Sequence, residues 1–338
     1  MTTLARFPRL RLTQAPTPLE ALPNLSRLLD GPQLFIKRDD NTGLALGGNK
    51  TRKLEFLLGD ALAKGATHIV TQGATQSNHV RQTIAAANKL GLPSTVLLEE
   101  RVSDAHADYY SNGNVLLDQL LGADIETRPA GLDMNHELLA VGERLQAAGE
   151  VPYLIPGGGS NAIGALGYVL SAQELLQQST EQALRIDHVI HATGSSGTQA
   201  GLVVGLQAAN SGIPLLGFSV RAARDKQIEN VTRLARQTWD LLDIRQPFDD
   251  SAVRVNADYV GAGYGIPTEG TLEAIRLLAR HEGILLDPVY SGKAFAGLID
   301  LIRRGHFRRD ENIVFVHTGG AAGLFGYRDL LQPAGGVR

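Results

Sequence analysis

Leu46-Gly47-Gly48-Asn49-Lys50-Thr51-Arg52-Lys53 sets a lysine just behind two glycines, at the threshold of a helix. Flexible backbone can deliver such a lysine to a carbonyl group, and Lys53, three residues on, falls on the same helical face. The pattern suits a Schiff-base lysine with a cationic neighbour. Two plainer readings compete. A solvated charge behind a turn is the commonest fate of a lone lysine. A phosphate loop from Gly43 to Thr51 fails by one residue, because Asn49 stands where a Walker motif needs lysine. Of these two, the surface charge fits the segment better.

A chain of 338 residues can build two domains or one large one around a sizeable core. Its 43% hydrophobic and 20% charged content is that of a soluble globular protein. With 32 basic and 35 acidic side chains the formal charge is -3, so no nucleic-acid or anionic-membrane footprint is expected and the partner should be small. The absence of cysteine excludes disulfides, thiolate metal sites and a cysteine nucleophile. Neither a signal peptide in Met1 to Pro8 nor a bilayer-spanning run is visible, and a cytoplasmic location is the expectation.

Short β-branched runs alternate with helix-period segments, which predicts an α/β fold with open, mainly parallel sheets flanked by helices. The predicted strands are Leu34 to Lys37, His68 to Thr71, Ser94 to Leu98, Tyr153 to Ile155, His188 to Ala192, Leu215 to Val220 and Ile313 to His317. Apolar stripes predict helices over Lys53 to Lys64, Val80 to Leu90 and Thr271 to Arg280. Glycine clusters at Gly73, Gly157 to Gly159, Gly194 with Gly197, and Gly319 with Gly320 fall just after strands. Ligands bind at that edge of such sheets, so one crevice assembled from distant sequence is expected. Gln332 to Arg338 reads as a loose tail.

The strongest phosphate signal is Thr193-Gly194-Ser195-Ser196-Gly197-Thr198, between an apolar strand and a helical run. Glycine lets backbone amides converge on an anion, the helix start adds partial positive charge, and hydroxyls donate further bonds. No lysine follows and the spacing is not a dinucleotide fingerprint, so a phosphate monoester fits best; a plain strand-to-helix turn is the alternative. Gln72-Gly73-Ala74-Thr75-Gln76-Ser77-Asn78-His79-Val80-Arg81-Gln82-Thr83 is a second polar helix start. It carries more polar groups than capping requires, enough to hold a carboxylate or a ring hydroxyl. Asp287-Pro288-Val289-Tyr290-Ser291, His317-Thr318-Gly319-Gly320 and Tyr264 each place a hydroxyl near a strand end or helix start.

Together these motifs resemble the pyridoxal-phosphate enzymes of fold type II (tryptophan synthase β-like). The group in question contains 1-aminocyclopropane-1-carboxylate deaminase, D-cysteine desulfhydrase and L-cysteate sulfo-lyase. The resemblance runs from Ala15-Pro16-Thr17-Pro18 to Gly323-Leu324-Phe325. It implies pyridoxal 5'-phosphate as cofactor, no metal, a homodimer, and two domains: residues 1–49 with 164–338 as the larger, 50–163 as the smaller. It further implies Lys50 as the Schiff-base lysine and base at Cα, with Lys53 neutralising the phosphate and Gly194, Ser195, Ser196, Gly197 and Thr198 cradling it. Asn78 would meet the ring hydroxyl. Ser77 and His79 would meet the substrate carboxylate, with Thr75, Gln76, Tyr264 and Tyr290 on the substrate side; Tyr290 and Ser77 join Lys50 as catalytic residues.

The cyclopropane deaminases carry glutamate after the tyrosine of Asp-Pro-Val-Tyr. Here Ser291 stands there, with Thr318 the other candidate partner of the pyridine nitrogen. A neutral hydroxyl weakens the ring as an electron sink, which favours prompt loss of a β-leaving group over ring opening. The expected reaction is therefore β-elimination to pyruvate and ammonia. Sulfonate needs several donors, and Thr75 offers a hydroxyl where D-cysteine enzymes have an aliphatic residue; the expectation is L-cysteate, releasing sulfite, with D-cysteine as alternative. A P-loop phosphotransferase and a silent amino-acid-binding protein are the competing classes.

Overall fold

The computed structural model describes residues 4–103 and 105–331; the expected tail at 332–338 lies outside them. A six-stranded sheet has the order β1 (Leu19–Ala21), β2 (Gln33–Arg38), β10 (Asn312–His317), β7 (His188–Thr193), β8 (Leu215–Ser219), β9 (Arg254–Asn256). All its pairings are parallel except β1 with β2. A four-stranded, wholly parallel sheet has the order β5 (Asp124–Pro129), β4 (Ser94–Glu100), β3 (His68–Ala74), β6 (Pro152–Ile155). All its strands lie in sequence between β2 and β7 of the larger sheet.

The larger sheet is buried on both faces, which is why its central strands read as unbroken apolar runs. Alternation sends Val189, Val314 and Val316 into one core with Leu166, Val169, Val203 and Val204. Ile190, Ile313 and Phe315 enter a second core with Phe218, Ile275 and Phe295. Every predicted strand coincides with an observed one, β8 ending one residue early at Ser219. Three were not foreseen. β1 and β9 are three-residue edge strands, and β5 is a half-exposed edge strand whose sequence Asp-Ile-Glu-Thr-Arg-Pro has no apolar run.

The helix Lys50–Ala63 lies between the sheets. Leu54, Leu57, Leu58 and Ala61 pack with Ile69 and Ile155 of the smaller sheet, while Phe56 belongs to a core of the larger one. Such two-sided burial leaves little polar face, so the apolar stripe alone located the helix but not its start. Among the described residues no helix is long and apolar enough to cross a membrane.

Candidate active site

The carboxyl ends of strands from both sheets open onto one cleft of about 460 Å³. Lys50, the first residue of its helix, lines it. The backbone just before it can be made only by glycine: Gly47 has φ 68° and Gly48 φ 124°, and a Cβ on Gly47 would lie 1.9 Å from the Asp40 carbonyl oxygen. Burial lowers the Lys50 amine to about 8, against a raising contribution from its hydrogen bond with Lys53. Lys53, fully buried, is held well below the usual lysine range by burial first and by the Lys50 charge second. Its Nζ donates to the Gly158 carbonyl at 3.0 Å and to Ser160 Oγ at 3.3 Å.

β7 delivers Gly194, Ser195, Ser196 and Thr198 to the cleft at the start of the helix Gly197–Ala208. The amides of Ser195, Ser196 and Thr198 have no acceptor among the described residues, the condition of an anion cradle. Gly197 lies under the cradle rather than on its wall. A Cβ there would come within 2.7 Å of Ser160 Oγ and 2.8 Å of Lys53 Nζ, so only glycine keeps that approach open. Asn49 Nδ2 donates to Thr198 Oγ1 at 2.9 Å, and Gln227 Nε2 to Thr193 Oγ1 at 2.9 Å and Ser196 Oγ at 3.4 Å. These residues fit a phosphate monoester attached to a small ring.

From β3, Ser77, Asn78 and His79 enter the opposite wall. Ser77 Oγ caps the helix Asn78–Lys89 by accepting from the Val80 amide at 3.2 Å. Asn78 Oδ1 accepts from Arg81 Nη1 at 3.1 Å and Asn114 Nδ2 at 3.0 Å, which leaves its NH2 group to donate elsewhere. His79 Nε2 lies 2.8 Å from Thr71 Oγ1, and burial, followed by the charges of Lys50 and Lys53, keeps the ring neutral. The Tyr264 and Tyr290 hydroxyls meet at 2.5 Å; burial raises the pKa of both.

Five of the expected residues are absent from the cleft wall: Lys53 and Gly197 lie beneath it, and Thr75, Gln76 and Ser291 serve other groups. Thr75 is buried, and its Oγ1 returns to the Glu99 carbonyl at 3.3 Å because its own amide already bonds that oxygen. Gln76 turns to the junction of the helices Ala107–Ser111 and Asn114–Leu120. Its Nε2 donates to the Tyr109 and Asn112 carbonyls, and its Oε1 accepts from the Asn114 amide, satisfying backbone that no helix or strand serves. Ser291 is fully buried and closes its own turn by donating to Asp287 Oδ1 at 2.5 Å. Thr318 is thus the cleft-lining hydroxyl of the two candidates for the pyridine nitrogen. Thr75→Val is accordingly expected to change kcat/KM for L-cysteate less than about threefold, since it removes one long backbone-directed bond worth roughly 0.5 kcal/mol; a tenfold loss measured by sulfite release would place its hydroxyl on the substrate.

Arg101, at the end of β4, lines the cleft and was not singled out from the sequence. The rule that residues just past parallel strands meet the ligand would have found it. Ser160 and Gln227, which support the 194–198 loop, carry no sequence signal beyond their neighbours.

Comparison with known proteins accords with this architecture. The pattern of the family "Pyridoxal-phosphate dependent enzyme" matches residues 10–319. The D-cysteine desulfhydrase of Klebsiella pneumoniae (strain 342) is 49% identical over 328 residues, 97% of this chain and 98% of that protein, and that of a second Klebsiella pneumoniae strain agrees equally. The crystal structure of an ACC deaminase homologue superposes with a TM-score of 0.87 at 40% identity, covering 97% of this chain and 96% of that one. The threonine deaminase of T.th. shares the fold at a TM-score of 0.63 and 20% identity, covering 90% and 92% of the two chains. The chain belongs to the pyridoxal-phosphate dependent enzymes of fold type II, in the group of the 1-aminocyclopropane-1-carboxylate deaminases and D-cysteine desulfhydrases.

Proposed function

We propose that this enzyme catalyses β-elimination on a cysteine-type amino acid, with D-cysteine as substrate and hydrogen sulfide, pyruvate and ammonia as products. The observation that carries the substrate is the 49% identity to D-cysteine desulfhydrase over nearly the whole of both chains. The ground for preferring a sulfonate at Thr75 falls away, because that hydroxyl bonds the Glu99 carbonyl. L-Cysteate stays as a second reading on a different observation: the charged side chains lining the cleft among the described residues are Lys50, Arg101, Arg221, Lys226 and Arg233, all cationic. With hydroxyls rather than a carboxylate at 291 and 318, cyclopropane ring opening is the less suited chemistry.

Bound pyridoxal phosphate supplies an aldehyde that bonds the substrate amine and a ring that withdraws charge from Cα. Lys50 would anchor it, with Lys53 and residues 194–198 around the phosphate, the Asn78 NH2 on the ring hydroxyl and Thr318 at the pyridine nitrogen. Once displaced by the substrate amine, the Lys50 amine takes the Cα proton; the Cβ–S bond breaks with its electron pair on sulfur. The enamine released then reacts with one water to give pyruvate and ammonia. Ser77 would orient the substrate carboxylate, aided by neutral His79, and the Tyr264–Tyr290 pair would bound the side-chain end. A homodimer, with residues 50–163 as the smaller domain of each protomer, completes this proposal.

The discriminating experiment offers D-cysteine and L-cysteate to the holoenzyme and assays sulfide, sulfite and pyruvate. Sulfide with pyruvate from D-cysteine supports the reading. Sulfite from L-cysteate alone moves it to the second, and no pyruvate from either overturns the elimination. A pH dependence follows as well. Below about pH 8 the Lys50 amine carries its proton and cannot attack an aldehyde; above it the amine is free. Reconstitution of cofactor-free enzyme should therefore accelerate as pH rises through about 8 and then level off, well below the range of an ordinary lysine. A rate still climbing toward pH 10, followed by absorbance, would show an unperturbed amine.

A further inference from the structure

Of the cleft-lining cations that the elimination leaves without a task, Arg101, Arg221, Lys226 and Arg233, Arg101 is the one set against the tyrosine pair. Its Nε donates to Glu99 Oε2 at 2.5 Å, and its guanidinium carbon lies 5.4 Å from the centroid of the Tyr264 ring. Its side chain is 23% exposed, so the group is partly withdrawn from water while remaining on the cleft. Among the described residues its two terminal nitrogens have no hydrogen-bond partner, and no carboxylate lines the cleft. Glu99 and Tyr264 thus fix the arm by its inner edge and one face. The outer fork keeps its donors, at the tyrosine pair.

We infer that Arg101 is a specificity-determining residue that favours substrates whose β-substituent is an anion, sulfonate being the chemical class. The inference rests on the elimination reading above, and not on which sulfur compound is the natural substrate. A planar fork with spare N–H groups matches two oxygens of a sulfonate as it matches a carboxylate or phosphate, and charged partners strengthen each bond. When the Cβ–S bond breaks with its electron pair on sulfur, the departing sulfite is one unit more negative than the bound sulfonate, and chloride gains the same unit on leaving. A fixed cation stabilises either departure, so the preference for sulfonate comes from the charge and the acceptor oxygens it already carries when bound.

The test compares wild-type, Arg101→Gln and Arg101→Lys holoenzymes on cysteate and β-chloroalanine of the same Cα configuration, using both enantiomers. Chloride leaves readily but is uncharged while bound to carbon. The expected result is that Arg101→Gln lowers the ratio of kcat/KM for cysteate to that for β-chloroalanine by about tenfold or more, with Arg101→Lys between the two. The dissociation constant for cysteate, from the shift in the cofactor's visible absorbance, should rise in the same order. A ratio unchanged in Arg101→Gln overturns the assignment, as does a wild-type enzyme that eliminates chloride from β-chloroalanine yet neither binds nor cleaves cysteate. Failure of wild-type enzyme to form pyruvate from either enantiomer of β-chloroalanine instead overturns the elimination reading on which the assignment stands.

Discussion

A Lys50→Ala enzyme is expected to lose its visible Schiff-base absorbance and at least about a thousandfold of pyruvate formation, even with cofactor supplied in excess. Two proposed functions converge on that one amine, covalent attachment and proton transfer at Cα. Lys53 cannot replace it, because its Nζ is committed to the Gly158 carbonyl and Ser160 below the 194–198 loop. The rest of the cleft should survive the substitution, since the described bonds among Asn49, Thr198, Ser160, Ser195 and Asn78 do not pass through the Lys50 side chain. Lys50→Arg should fail almost as completely: a guanidinium is always charged and neither attacks an aldehyde nor accepts a proton at neutral pH. Spectra of both variants, with pyruvate assays alongside, check the expectation; a retained band in Lys50→Ala would remove Lys50 from its proposed role.

Arg52→Met is expected to lower the free energy of unfolding by about 3–5 kcal/mol, the range for stripping one partner from a buried ion pair. Arg52 is 2% exposed and Asp39 fully buried. The guanidinium grips Asp39 through Nε and Nη2 at 2.9 Å each, reaches Glu174 at 3.0 and 2.9 Å, and donates to Thr17 Oγ1 at 3.0 Å. It holds Asp39 below the ordinary carboxylate range against the opposing effect of burial. Without it, Thr17 and Tyr168 still donate to Asp39, but no positive charge touches it directly. Urea denaturation of the two holoenzymes measures the difference, and a loss under about 1 kcal/mol would mean that Lys37, paired with Glu174, compensates.

Arg52 also shows how far the sequence could be read. It stands inside the Leu46–Lys53 stretch, yet its partners Asp39 and Glu174 are 13 and 122 residues away, and no local pattern announces such a contact. Residues 194–198 and 77–79 were legible because a strand, a polar turn and a helix follow in direct succession, so the backbone alone fixes what they present. Thr75 and Gln76 have the same local context but serve other backbone, the Glu99 carbonyl and the helix junction at 109–114. Side-chain polarity states that a bond will be made, not with what. Arg101 went unseen because a single arginine behind a strand resembles any surface charge until β4 is placed beside β3.

The helix that starts at Lys50 opens with Lys-Thr-Arg-Lys and has no acidic residue in its first turn. Its dipole presents positive charge at that end, where each added cation is unfavourable by about 0.3–1 kcal/mol. Asn49 gives no side-chain cap; the Thr51 amide is satisfied instead by Gln82 Oε1 from a different helix. Three basic residues thus crowd the one stretch of the helix least able to hold them, and the burial that packs this start in place also lets the Lys50 amine shed its proton readily. The helix that begins at Lys50 is consequently a poor helix on its own, a tenant whose shape is maintained by its neighbours.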